Sequence, residues 1–222
     1  MKVGLISDIH GDIDALKQAI DLLASEKVET ILCAGDLIEH NPQSSESVVE
    51  LIRSLAIPCV HGNHDLSAIS LLKWVRERKG DMTILPERHR LTLASLEYLA
   101  QLPLIRYFDF SGRSLALAHG TPWSPFVSLF ASESSDLFIR AMQTAKAHIL
   151  VVGHTHAPMA IRCGDTFVIN PGAVSQNHPT VRQYGHRTCG IFDMATNVLS
   201  LIDIDKGTIS KPIVKHIDVP QE

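Results

Sequence analysis

Five short blocks carry the residue types that could do chemistry: Asp8-Ile9-His10, Gly35-Asp36, Gly62-Asn63-His64-Asp65, His119-Gly120 and Gly153-His154-Thr155-His156. Each follows an apolar, strand-like run, and the carboxyl ends of strands in an α/β sheet point to one edge, where ligands bind. Asp8, His10, Asp36, Asn63, His64, His119, His154 and His156 would thus bring imidazoles, carboxylates and one carboxamide to a common place. No thiolate is among them. That donor mixture suits a borderline divalent metal such as manganese, iron, zinc, nickel or cobalt, whereas calcium would ask for more oxygens. Singly, the blocks have bland readings. Asp8 could cap the helix that opens near Asp12, Gly35-Asp36 could simply turn the chain, and His119 could be a turn histidine. His154 and His156 stand two residues apart, which in extended backbone turns both rings to one side. With all five blocks in one chain, each closing an apolar run, the bland reading would have to hold five times over.

The elements that must position these blocks follow from hydrophobic spacing. Val3–Ile6, Thr30–Cys33 and Ile57–Val60 read as strands, with amphipathic helices over Ile13–Leu23 and Val48–Leu55 between them, a βαβαβ rhythm that implies a largely parallel sheet. Residues 66–102 read as two helices, broken at Gly80-Asp81 and closed by Pro103, and form a candidate small helical lid. Arg106–Phe110 and Ser114–Ala118 flank a Ser-Gly-Arg turn as a hairpin, and a helix at 133–147 leads into Ile149–Val152. The last third holds strands at Met159–Arg162, Thr166–Ile169, Cys189–Asp193, Val198–Ile204 and Lys211–His216 with no helices between them. A second sheet or antiparallel additions to the first must result, so the expected fold class is an α/β sandwich in one domain spanning 1–222.

Composition narrows the function classes. The 222 residues are 45% apolar, enough for one globular domain with a sizeable core. Twenty basic against 24 acidic residues, a net charge of −4, leave no basic excess for the phosphates of a long nucleic acid. No apolar run approaches the roughly 18 to 20 residues that span a bilayer, and Asp8 and His10 break the apolar opening, so neither a membrane span nor a signal peptide is expected. Cys33, Cys59, Cys163 and Cys189 form no C-x-x-C pair and read as reduced core thiols of a cytoplasmic protein.

The five blocks resemble those of the calcineurin-like metallophosphoesterases, which run D-x-H, G-D, G-N-H-[DE], H and G-H-x-H; the resemblance extends from residue 3 to about 193. Gly35–Pro42, Asn170–Val174 and the Trp-containing helix after the third block are similar to the small single-domain bacterial and archaeal phosphodiesterases of that family. The resemblance implies two mixed β-sheets sandwiched between helices and a pair of divalent metal ions, manganese foremost. It assigns Asp8, His10, Asp36 and His156 to one metal and Asp36, Asn63, His119 and His154 to the other, with Asp36 bridging. A bridging hydroxide would attack phosphorus in line, His64 would face the phosphate or protonate the leaving alkoxide, and Asp65 would orient the His64 ring. Asn170 and Gly172 would shape the neighbouring loop.

The second block continues Leu37-Ile-Glu-His-Asn-Pro42 without the arginine of the phosphoprotein phosphatases, and the chain is short and acidic beside the repair nucleases. A small phosphodiester or nucleotide remains as substrate, with a phosphomonoester or dinucleoside polyphosphate as the alternative. An inactive metal-bound scaffold, possible for this fold, conflicts with the retention of His64. A homo-oligomer is left open. Among lesser candidates, His40, Asn41 and Arg182 could line the substrate side but read more simply as loop residues. The Pro122–Phe126 loop could stack a ring or anchor the segment after it. His61 and Trp74 read as packing residues, and His89, His148, His186 and His216 as structural.

Overall fold

Strand alternation decides the layers. In the segment Arg113–Ala118, Leu115 and Leu117 point one way and Ala116 and Ala118 the other, and all four are fully buried, so both faces of this strand must be covered. The same holds at Ile149–Val151, whose neighbours in sequence alternate between two different cores. The computed structural model describes residues 1–39, 42–77, 91–175 and 186–218.

In chain order the elements are β1 (Lys2–Ile6), α1 (Ile13–Ser25), β2 (Thr30–Cys33), α2 (Pro42–Ser54), α3 (Asn63–Glu77), α4 (Leu93–Gln101), β3 (Ile105–Phe110), β4 (Arg113–Ala118), α5 (Ser135–Ala145), β5 (Ile149–Val151), β6 (Met159–Cys163), β7 (Thr166–Asn170), β8 (Thr188–Asp193), β9 (Val198–Asp203), β10 (Ile209–Ser210) and β11 (Val214–Ile217). One sheet has the order β10-β9-β8-β1-β2 and the other β11-β6-β7-β5-β4-β3. The sheets face each other across a core of Val3, Leu5, Leu32, Leu117, Ile149 and Phe192 with their neighbours. The outer face of the first sheet packs Ile6, Cys189 and Ile191 against Leu16, Val49 and Leu96 of α1, α2 and α4. The outer face of the second packs Ala116, Leu150 and Val168 against Phe138 and Met142 of α5. The result is the expected sandwich, helices outside two mixed sheets: β1 pairs parallel with β2 and antiparallel with β8, while β4, β5 and β7 run parallel.

Three expectations change in detail. Ile57–Val60 meets β2 through a single Cys33–Cys59 bridge, because Pro58 has no N–H with which to continue a ladder; its carbonyl only accepts from Cys33 N–H. The strand expected over Lys211–His216 divides around Pro212, so β10 ends on the first sheet and β11 adds to the second. The helix expected over 133–147 stops at Ala145, where Lys146 turns left-handed. All four cysteines are free and buried, as expected of core thiols. His40, Asn41, His89, Arg182, residues 78–90 of the candidate lid and the Trp74 side chain lie outside the described residues. Among the described residues no helix is long and apolar enough to cross a membrane.

Because Leu117 is fully buried between the sheets, Leu117→Ala should cost about 2–5 kcal/mol, read as a lower denaturant midpoint with an unchanged slope.

Candidate metal centre

β1 and β2 of one sheet and β4 and β5 of the other end on one edge, and the turns that leave them are stitched together by backbone. Asp8 N–H donates to Gly35 O (3.0 Å), His10 N–H to Asp36 O (3.0 Å) and Gly11 N–H to Leu37 O (2.9 Å), so the turns after β1 and β2 prolong the parallel pairing of their strands. Gly153 N–H donates to His119 O (2.7 Å), joining the turns after β5 and β4. Five of the residues in these turns have left-handed backbone: Asp8 (φ 55°), His10 (48°), Asp36 (54°), His154 (67°) and His156 (58°). Asp and His tolerate that region better than most side chains, yet each such residue still costs about 1–2 kcal/mol. Strain concentrated on these five residues is the mark of a site whose surroundings over-determine it. The turns also need glycine. A Cβ on Gly62 would stand 2.5 Å from Asp36 N and overlap Asp36 Oδ1, so any side chain there would displace that carboxylate.

The side chains of the five blocks converge. His156 Nε2 lies 3.2 Å from Asp8 Oδ1 and 3.1 Å from His10 Nε2. His119 Nε2 lies 3.2 Å from Asp36 Oδ2 and 3.0 Å from Asn63 Oδ1. The other Asp36 oxygen, Oδ1, accepts the backbone N–H of His64 (2.9 Å) in the first turn of α3. Three groups each offer ligand atoms within reach of one ion: Asp8, His10 and His156; His10, Asp36 and His64; and Asp36, His119 and His154. His154 and His156 do not point to one side as an extended pair would. Their left-handed turns send them to different groups, His156 beside His10 and His154 beside His119.

Two carboxylates set the electrostatics of this cluster. Asp8 and Asp36 are both fully buried. Burial would raise the Asp36 carboxyl, but the His119 charge and hydrogen bond, with His10 and His64 behind, hold it far below the usual carboxylate range. His119 answers by rising to about 10: burial works against its charge, and Asp36 outweighs burial. Burial likewise opposes the charge on Asp8, and His156 overcomes it. His154 moves the other way, lowered by burial and by the His119 charge, and so remains a neutral donor.

The donor set fits divalent cations. Two imidazole nitrogens 3.1 Å apart have the separation of ligands each about 2.1 Å from one cation and roughly at right angles. His119 Nδ1 donates to Ala34 O (2.7 Å), which directs Nε2 at Asp36 and Asn63, where a cation would take the place of its proton. His10 is held in the same manner, with Nδ1 2.8 Å from Glu39 Oε2 and Nε2 turned inward. Metal-ligating histidines ordinarily have their second nitrogen tied to a carbonyl or carboxylate in this way.

Glu39 is the residue that sequence reading missed. Its Oε2 reaches His10 Nδ1 and also lies 3.3 Å from His64 Nδ1, so one carboxylate orients a candidate ligand and the histidine expected to act on substrate. The signal was present, an acidic residue three positions after Asp36, but nothing in the spacing says which rings it meets. The expectation that Asp65 orients His64 is corrected accordingly. Both Asp65 oxygens accept backbone N–H groups, from Gly62 (2.8 Å), Asp36 (3.0 Å) and Leu37 (2.9 Å), so Asp65 shapes the turns and touches no ring. Burial and the nearby Asp36 charge raise its carboxyl to about 6.

Asn170 behaves as expected: Nδ2 donates to Gly153 O (2.8 Å) and Thr155 Oγ1, and Oδ1 accepts Gly172 N–H, pinning the turn that carries His154 and His156. In the 122–126 loop, Trp123 packs against the α5 core under Arg140, whose guanidinium lies 4.3 Å from the ring centroid; this is the anchoring reading. His148 bonds Ser114 at the start of β4 and lies outside this cluster.

The family model for the calcineurin-like phosphoesterase superfamily domain matches residues 1–197. Phosphodiesterase YfcE of Escherichia coli K12 is 26% identical over 184 residues, 79% of this chain and 80% of its own. An uncharacterized protein of Methanocaldococcus jannaschii is 27% identical over 192 residues, 78% of this chain and 76% of its own. Among solved structures, a metallophosphoesterase from Sphaerobacter thermophilus superposes with a TM-score of 0.70 at 23% identity, covering 90% of this chain and 86% of that one, a likeness of fold.

If Glu39 fixes the His10 ring, Glu39→Gln should weaken Mn²⁺ binding by about 10- to 100-fold with an unchanged circular dichroism spectrum. Calorimetric titration checks it, and equal affinity would remove Glu39 from the site.

Proposed function

This chain belongs to the calcineurin-like phosphoesterase superfamily, and on that premise we propose that it is a dinuclear-metal phosphodiesterase acting on a small phosphodiester or nucleotide. The observation that carries the reading is the position of Asp36, whose carboxylate belongs to two of the three donor groups and whose two oxygens face different ways. Asp8, His10, Asp36 and His156 would hold one cation, and Asp36, Asn63, His119 and His154 the other, with manganese the first choice. When bound, such a pair lowers the pKa of water toward neutrality and neutralises phosphoryl oxygens.

The protein groups supply the rest. Asp36 must be a carboxylate, since an amide at this place would lose the negative charge that two cations would share. His64 and His154 are the partly exposed histidines of the cluster, and the His64 side chain, 30% exposed and at the start of α3, can reach a bound ester. With Nδ1 directed at Glu39, its Nε2 faces away and can give a proton to the leaving alkoxide. Asp65 and Asn170 keep the turns rigid, so the groups are in place before substrate arrives. The small-substrate reading rests on the net charge of −4 and on the phosphodiesterase relative, which together favour a compact ester over a long polyanion.

Manganese-loaded protein should release p-nitrophenol faster from bis-p-nitrophenyl phosphate than from p-nitrophenyl phosphate; the reverse order would make it a phosphomonoesterase, and turnover of neither, with metals bound, an inactive scaffold. Asp36→Asn should lose bound metal and turnover together, measured by elemental analysis and rate, and retention of both would refute the bridge. His64→Ala should keep its metals while losing about 10²- to 10⁴-fold in rate, most for poor leaving groups.

A further inference from the structure

A cavity of about 490 Å³ opens at the end of the second sheet opposite the candidate metal centre. The geometry is explicit: Ser114 and His148 stand at the entry of β4 and β5, whereas His119 and Gly153 follow their exits. The volume is that of a small-molecule site. Its walls are apolar, made by Ile139 and Met142 of α5, Ala147 after it, and the Cys163 thiol, whose pKa burial raises, so that it stays an uncharged wall.

Two donors stand on the lining. Ser114 N–H donates to His148 Nδ1 (3.1 Å), which makes Nδ1 the acceptor and puts the ring proton on Nε2. Ser114 Oγ also lies 2.7 Å from His148 Nδ1, so Ser114 holds that edge of the ring. Lys146 is the second donor. It closes α5 in left-handed backbone (φ 50°, ψ 42°), a place usually given to glycine, and its ammonium has no partner among the described residues. The acid on the lining, Asp165, is exposed to water, which screens it, and has Arg162 3.5 Å away. An apolar hollow with an unpaired cation and an oriented N–H on its wall is complementary to a molecule with an apolar body and one negative group.

We propose that this cavity binds a small amphipathic organic anion, a monocarboxylate with an acyl or aryl body, at a site separate from the metal centre. The carboxylate would accept from Lys146 Nζ and His148 Nε2, and the body would lie against Met142 and Cys163.

The test is a titration of ¹⁵N-labelled full-length protein with hexanoate, acetate and hexanol. Hexanoate should shift the amides of Lys146, His148 and Gly164 saturably, with acetate and hexanol each about 10-fold weaker because each lacks one half of the recognition. Lys146→Gly removes the charge while suiting the left-handed backbone, so its fold is secure; it should weaken hexanoate about 10-fold, and Lys146→Arg should restore binding. The proposal is overturned by the absence of saturable shifts at about 10 mM hexanoate, by hexanol binding as well as hexanoate, or by Lys146→Gly binding as the parent does.

Discussion

Two carboxylates buried side by side, Asp8 and Asp36, are the constraint on which the rest of this protein depends. They stand at the ends of the paired strands β1 and β2, on turns joined backbone to backbone, and cannot move apart. Like charges out of water require positive charge nearby. Every other feature of the edge answers that requirement. His119 and His156 approach within 3.2 Å, His10 faces both carboxylates, and the first turn of α3 donates the His64 N–H to Asp36. The cluster therefore gathers groups that could hold a cation.

Such an arrangement is unfavourable locally and is sustained by what lies behind it. Five left-handed residues and a set of glycines that admit no Cβ are tolerated because the strands beneath are locked in three apolar layers. Asp65 and Asn170 transmit that rigidity to the turns by hydrogen bonds, nearly all to backbone. The division of labour is clear: polar side chains that never touch a ligand hold the peptide groups, and the peptide groups aim the side chains that do. Glu39 works on both levels, since the carboxylate that orients His10 also contacts His64 and so ties metal binding to the open histidine. At the opposite end of the second sheet the charged groups are exposed, and the cavity there has apolar walls with Lys146 and Asp165 on its lining.

What the sequence by itself determined is local. Alternation in Leu115–Ala118 and Ile149–Val152 required two covered faces, and thereby layers on both sides of a sheet. Blocks that begin where apolar runs stop had to gather at one edge, because parallel strands end together, and the identity of the donors followed from residue type. Only the tertiary structure decided which donors share an ion, that Asp65 serves backbone while Glu39 serves the rings, and that His154 and His156 part company. Those outcomes depend on contacts between residues far apart in the chain, such as Asp8 with His156, and on left-handed turns that reverse the side expected from extended spacing. Periodicity reports the face of an element that is buried; it carries no information on the few ångströms that place one carboxylate oxygen beside one ring nitrogen.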